Sequence, residues 1–177
     1  MKQIDSSDIL KRIEERRAHD HHVDERLIYA VKRARNLFLF TVHDEASFLS
    51  LIWHERSQSR LLTPRGQPRT LADVAGRMIE NRWTFSSLCC PMSLPAEDEH
   101  DPSWFRSCKR IDAEFSFDEF DFIGLMPAND CERRQSPGGK FYIYDGAHKT
   151  LVLAYRLLAK QTAFRTVEGL LIAPRLD

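Results

Sequence analysis

The sequence predicts an α/β fold: a compact mixed-sheet domain with an N-terminal helical extension. Three observations carry that reading. The alternating apolar and aromatic run Phe141-Tyr142-Ile143-Tyr144 reads as a strand and passes through Asp145-Gly146 into a helical pattern with Leu151, Ala154, Tyr155 and Leu158 on one face. Two further runs of strand character, Leu37–Val42 and Phe164–Ile172, lie far apart in the chain and frame segments of helical periodicity. The chain has 177 residues, enough to bury a core in one domain.

Taken in order, Ser6–Arg17 reads as a helix with Ile9, Leu10 and Ile13 inward. His19-Asp20-His21-His22 interrupts it, and Val23–Asn36 resumes the pattern through Leu27, Ile28, Val31 and Ala34. These helices form a hairpin expected to pack beside the main domain, which gives an extension at 1–36 and a domain at 37–177. Leu37–Val42 is the first core strand. Ala46–Glu55 has helical spacing through Phe48, Leu49 and Ile52. Pro64, Gly66 and Pro68 make 57–68 a loop, with basic character from Arg56, Arg60, Arg65 and Arg69.

Thr70 followed by Asp73 is a helix start, and Leu71, Val74, Ala75, Met78 and Ile79 recur at inward spacing behind it. Residues 84–118, with Pro91, Pro95 and Pro102 and the acidic Glu97-Asp98-Glu99, read as an irregular insertion or lid. Phe122–Met126 is a strand stopped by Pro127. The predicted order is α, α, β, α, α, β, β, α, β.

Composition weighs against several classes. Lys and Arg total 26, as do Asp and Glu, so no basic surplus points to nucleic acid as a partner. No apolar run approaches the roughly 20 residues that span a bilayer. The charged first 20 residues lack a signal-peptide core, which makes the cytoplasm the expected location and thiols the expected state of Cys89, Cys90, Cys108 and Cys131. Adjacent cysteines at wide, irregular gaps from His100 do not match a zinc ribbon.

The chemistry concentrates where the strand ending at Asp145 hands over to a helix. Gly146 permits close backbone approach, and the free N–H groups of the helix start favour an anion. His148 and Lys149 add an imidazole and an ammonium suited to phosphate. Asp145 is either a Mg²⁺ ligand or an acceptor within the turn, and Thr150 either caps the helix or touches phosphate. Asp44 and Glu45, after the first core strand, are either a helix cap or a general base. Among the tryptophans, Trp83 is best placed at a helix end to stack on a ligand ring, although core packing is the commoner fate of that residue.

Asp145-Gly146-Ala147-His148-Lys149 resembles the signature of the ParB/sulfiredoxin-like superfamily, in which a strand ends in Gly-x-[His/Arg]-[Arg/Lys] and opens a helix. It is nearest the Asp-Gly-His-His-Arg of the free-serine kinases of that fold. The resemblance implies a nucleotide site at Gly146, Ala147, His148, Lys149 and Thr150, ATP or ADP with Mg²⁺ at Asp145, and catalysis by Glu45 or Asp44 with His148. A phosphotransferase acting on a small hydroxyl-bearing metabolite, such as an amino acid, is the expected function. The alternative is a non-catalytic nucleotide- or partner-binding module, with DNA binding or nuclease activity third. Ala147 stands where sulfiredoxins place their cysteine, which removes sulfinic acid reduction by that chemistry. Lys149 replaces the usual arginine and with it the planar fork.

Overall fold

The computed structural model describes residues 2–18, 25–34, 36–53, 62, 69–90, 102–117, 120, 122–127 and 141–173. The described strands are β1 (Lys2–Ile4), β2 (Asn36–Val42), β3 (Ile52–Trp53), β4 (Arg69–Thr70), β5 (Ile123–Pro127), β6 (Phe141–Asp145) and β7 (Val167–Ala173). The helices are α1 (Ser6–Ala18), α2 (Glu25–Arg33), α3 (Glu45–Leu49), α4 (Leu71–Glu80), α5 (Phe85–Leu88), α6 (Pro102–Ala113) and α7 (Ala147–Leu158). One mixed sheet takes the order β1-β2-β7-β5-β6-β3-β4.

The pleat sorts the apolar side chains onto two faces. In β7, Val167 and Leu171 join the core that includes α4, α5, α6 and α7, while Leu170 and Ile172 join Ile9, Ile13, Leu27 and Val31 of α1 and α2. β5 divides likewise, with Ile123 and Leu125 toward the first core and the preceding Phe122 toward the second. The N-terminal helices, expected as a hairpin beside the domain, therefore supply the cover for one face of the sheet. Arg12 of α1 ties into the same layer, donating to Glu168 of β7 at 2.9 Å with its guanidinium 5.4 Å from the Phe122 ring centre.

β2 and β7 pair antiparallel over seven residues, from Asn36↔Ala173 to Val42↔Val167. Phe40 lies opposite Gly169, where an added Cβ would fall 2.6 Å from the Phe40 ring. A side chain there would have to push the ring aside.

Several elements differ from the sequence reading for identifiable reasons. The helix expected over 46–55 stops at Leu49, and Ile52 and Trp53 form a strand beside β6. Leu51, Ile52 and Trp53 are consecutive and all buried, a pattern that suits a covered strand rather than one helix face. Ile79, expected inward, is 37% exposed. The 84–118 segment is not wholly irregular: Thr84 and Ser87 form a capping box for α5, and Pro102 occupies the first position of α6, where its missing N–H costs nothing. Trp104, Phe105 and Cys108 of α6 enter the core. Strand β7 begins at Val167, and Phe164 packs on Phe48 at 5.7 Å instead. β1 carries no period that announces it. The 57–68 loop apart from Leu62, the His19–His22 break and the 91–101 stretch lie outside the described residues.

Helix α7 is the centrepiece of its layer. Leu151, Val152, Leu153, Ala154 and Leu157 are buried, more than one stripe of an amphipathic helix, because α4 and α6 also pack on it. Arg156 fixes it to α6, donating through Nε to Asp112 Oδ1 at 2.7 Å and through Nη2 to the Asp112 carbonyl at 2.6 Å. Its head follows β6, whose last residue pairs with Gly124 at the start of β5. Its tail lies beside Glu45, which follows β2. The 12-residue helix spans about 18 Å, so it separates what happens at its two ends.

Candidate functional site at the head of α7

The head is shaped by two glycines. Gly124 leaves room for Asp145, since a Cβ there would meet the Asp145 Cβ at 2.9 Å. Gly146 adopts φ +88°, the left-handed region, and turns the chain from β6 into α7. As the N-cap it provides no side-chain acceptor, so the leading amides of α7 have no side-chain cap. The first turn of α7 holds no acidic residue, and it carries His148 and Lys149. Helices α1 to α4 each place an acid there, Asp8, Glu25, Glu45 and Asp73, whereas α5 and α6, like α7, have none. Within the first turn itself no acid offsets the positive end of the α7 dipole; the nearest in sequence is Asp145, just before the N-cap.

Lys149 is folded back across this turn. Its Nζ donates to the Phe122 carbonyl at 2.6 Å and sits 5.6 Å from the Phe120 ring centre. The stem runs over Gly146, where a Cβ would fall 2.9 Å from Lys149 Cε. The glycine therefore serves the lysine as well as the turn.

His148 lies stacked on Trp104, ring centres 4.2 Å apart and planes 26° off parallel. Trp104 in turn meets Trp53 edge-on at 5.5 Å, and Trp53 Nε1 donates to the Ala147 carbonyl at 3.3 Å. Two tryptophans from β3 and α6 thus buttress the first two residues of α7. The Trp104 indole N–H is buried and has no hydrogen-bond partner among the described residues. Leaving such a donor unsatisfied costs about 1–3 kcal/mol. Sequence reasoning favoured Trp83, yet the signal for Trp104 was present: Trp104, Phe105 and Cys108 recur at helical spacing behind Pro102.

Thr150, expected as a cap or phosphate contact, is fully buried. Its hydroxyl reaches back to the Gly146 and Ala147 carbonyls at 2.9 and 3.2 Å, the habit of a threonine inside a helix. It holds the turn and is turned away from any ligand. Ala147 is also buried and offers only backbone. Asp145, half-buried, ends β6.

Asp44 and Glu45 are not brought to this head. Asp44 caps α3, accepting from the Ser47 amide and hydroxyl, both at 2.8 Å. The backbone and then the side-chain bond from Ser47 hold its carboxyl below the ordinary value. Glu45 lines an open cavity of ≈ 620 Å³ with Leu157, Leu158, Lys160, Gln161, Thr162 and Ala163, at the tail of α7. A general base there stands roughly a helix length from His148, so the expected catalytic set is divided.

Among the described residues, no three His, Cys, Asp or Glu side chains gather as metal ligands. A single carboxylate at Asp145 fits Mg²⁺ only if nucleotide phosphates and water complete the shell, which is how Mg²⁺ is commonly held. Cys89, Cys90 and Cys108 are free thiols, and burial pushes Cys108 well up. Cys131, His100 and Arg56, Arg60 and Arg65 lie outside the described residues. No described helix is long and apolar enough to cross a membrane.

Comparison of the chain with protein-family models, with curated proteins and with solved structures finds no match.

Proposed function

We propose that this chain is a binding module of ParB/sulfiredoxin-like type that holds the phosphate of a nucleotide at the head of α7. The observation that carries the reading is the turn itself: a left-handed Gly146 opening a buried helix whose first turn lacks any acid and bears His148 and Lys149. Backbone amides, the helix dipole and the Lys149 ammonium all favour negative charge at that point. The Asp-Gly-x-His-Lys resemblance supports a phosphate as the anion. Asp145 would hold Mg²⁺ against the phosphates, and the ion would supply charge neutralisation between their oxygens.

Binding without turnover is the better supported form. A phosphotransferase retains Asp145, His148 and Lys149 here but loses Asp44 and Glu45 as the base for a substrate hydroxyl, because they sit at the other end of α7. The test is thermal unfolding with inorganic phosphate, ADP and ATP, each with and without Mg²⁺, followed by an assay for nucleotide hydrolysis. A ligand at 100 times its Kd adds about 2.7 kcal/mol of stability. Stabilisation by phosphate-bearing ligands without turnover is the expected result. No stabilisation by any of them overturns the reading.

A further inference from the structure

We infer that Trp104 is a direct ligand contact: its indole N–H donates to the oxyanion held at the head of α7. The inference rests on the proposed phosphate site and adds a residue to it. Trp104 is only 9% exposed, and its Nε1 is a buried donor without a partner among the described residues. Native proteins satisfy the large majority of such groups, so a lone buried donor beside a ligand site calls for an acceptor. Its surroundings name the chemistry of that acceptor. The Trp104 ring stacks on His148 at 4.2 Å and meets Trp53, whose own indole N–H is already bound to the Ala147 carbonyl. The two indoles therefore differ: Trp53 braces the helix, and Trp104 keeps its donor for something that arrives.

The neighbourhood offers donors and positive charge: the leading amides of α7, His148 and Lys149. An incoming group that satisfies the indole must accept hydrogen bonds and suit an electropositive turn. A tetrahedral oxyanion does both, presenting one oxygen to the helix amides and another to the indole. An apolar ligand would leave the donor as costly as before. Trp104 acts with no charge of its own, so it favours an anion that sits against the His148 side of the turn over one that merely approaches Lys149 from solvent.

The chain has three tryptophans, Trp53, Trp83 and Trp104, so an indole-selective ¹⁵N correlation spectrum has three signals. Side-chain-to-backbone correlation on the wild-type protein assigns them, and Trp83→Phe checks one. Titration with inorganic phosphate, then with ADP, is expected to move the Trp104 signal downfield in saturable fashion while the Trp53 signal moves far less. Trp104→Phe, which keeps an aromatic ring against His148 and removes the donor, is expected to weaken phosphate binding about tenfold by calorimetry. If wild type binds phosphate, and the α7 amides shift while the Trp104 indole does not, the inference fails and the site stands. If wild type binds neither phosphate nor ADP, the site itself fails and takes the inference with it. The indole readout is made on wild-type protein, so it decides the matter even if Trp104→Phe folds poorly.

Discussion

The two ends of α7 solve the same backbone problem with different residues. At the head, Gly146 turns through φ +88°; at the tail, Lys160 turns through φ +55°. The tail is an ordinary helix stop: the Gln161 amide donates to the Arg156 carbonyl at 2.8 Å and the Lys160 amide to Leu157 at 3.0 Å, the paired bonds of a Schellman motif. Glycine is the usual residue at that position, and a lysine is tolerated because its side chain is free to point away and its charge suits the negative end of the helix. At the head a side chain would have to displace the Lys149 stem as well as hold the left-handed conformation. A Cβ on Gly146 would collide with the Lys149 stem and crowd Ile123 at 3.4 Å. The contrast separates a turn that merely ends a helix from one whose space is already spoken for by a cation.

That contrast is open to direct attack. The largest effect is expected from Lys149→Ala, which removes one charged donor from the proposed phosphate site. A charge-assisted hydrogen bond is worth about 1.5–3 kcal/mol, so phosphate or ADP affinity should fall roughly 10- to 100-fold by calorimetry. Glu45→Gln, at the tail, should leave the same titration unchanged; a comparable loss there would mean that the two ends share one ligand. Gly146→Ala comes next. Placing a side chain in the left-handed region costs roughly 1–2 kcal/mol before the clash with Lys149 is counted, and urea unfolding should show at least that loss.

Lys160→Gly is the mirror experiment, expected to gain up to about 1 kcal/mol by relieving the same conformation, less whatever the lysine contributes at the helix end. A loss on that change would show that the Lys160 side chain is needed where it stands.

The smallest effect concerns Asp44. The backbone and side-chain bonds from Ser47 hold its folded carboxyl below the ordinary aspartate value, so the cap it provides is complete above that ordinary value and is lost as pH falls through the depressed folded one. Acid unfolding followed by circular dichroism should show a shallower decline for Asp44→Asn in that range, with phosphate binding at neutral pH unaffected.

The head of α7 was the more legible end because its signals are local. A strand, a glycine and a helix face within about 20 residues can be read from period and turn chemistry alone. Thr70 with Asp73 was legible for the same reason, and the capping box is present with both reciprocal bonds. What the sequence could not convey is which side chains meet from distant segments. Nothing in the run around Pro102 says that Trp104 will lie on His148, because that contact depends on how α6 docks against α7. Thr150, expected as a cap or a phosphate contact, does neither visibly: it is buried, and its hydroxyl turns back to the Gly146 and Ala147 carbonyls, a choice that burial makes. The assignment of Asp44 and Glu45 to the same chemistry as His148 failed at the level of topology. Both groups follow strands, but α7 runs between the places where those strands end.

The pairing of β2 with β7 has a consequence for how the molecule comes into being. Roughly 125 residues of chain lie between partners such as Val42 and Val167, and closing a loop of that length must precede any reward from the pairing. β7 also stands between β2 and β5 and feeds both apolar layers, so neither layer is complete before it arrives. Among the described strands β7 is synthesised after all the others, so the cover it gives to both layers comes after theirs.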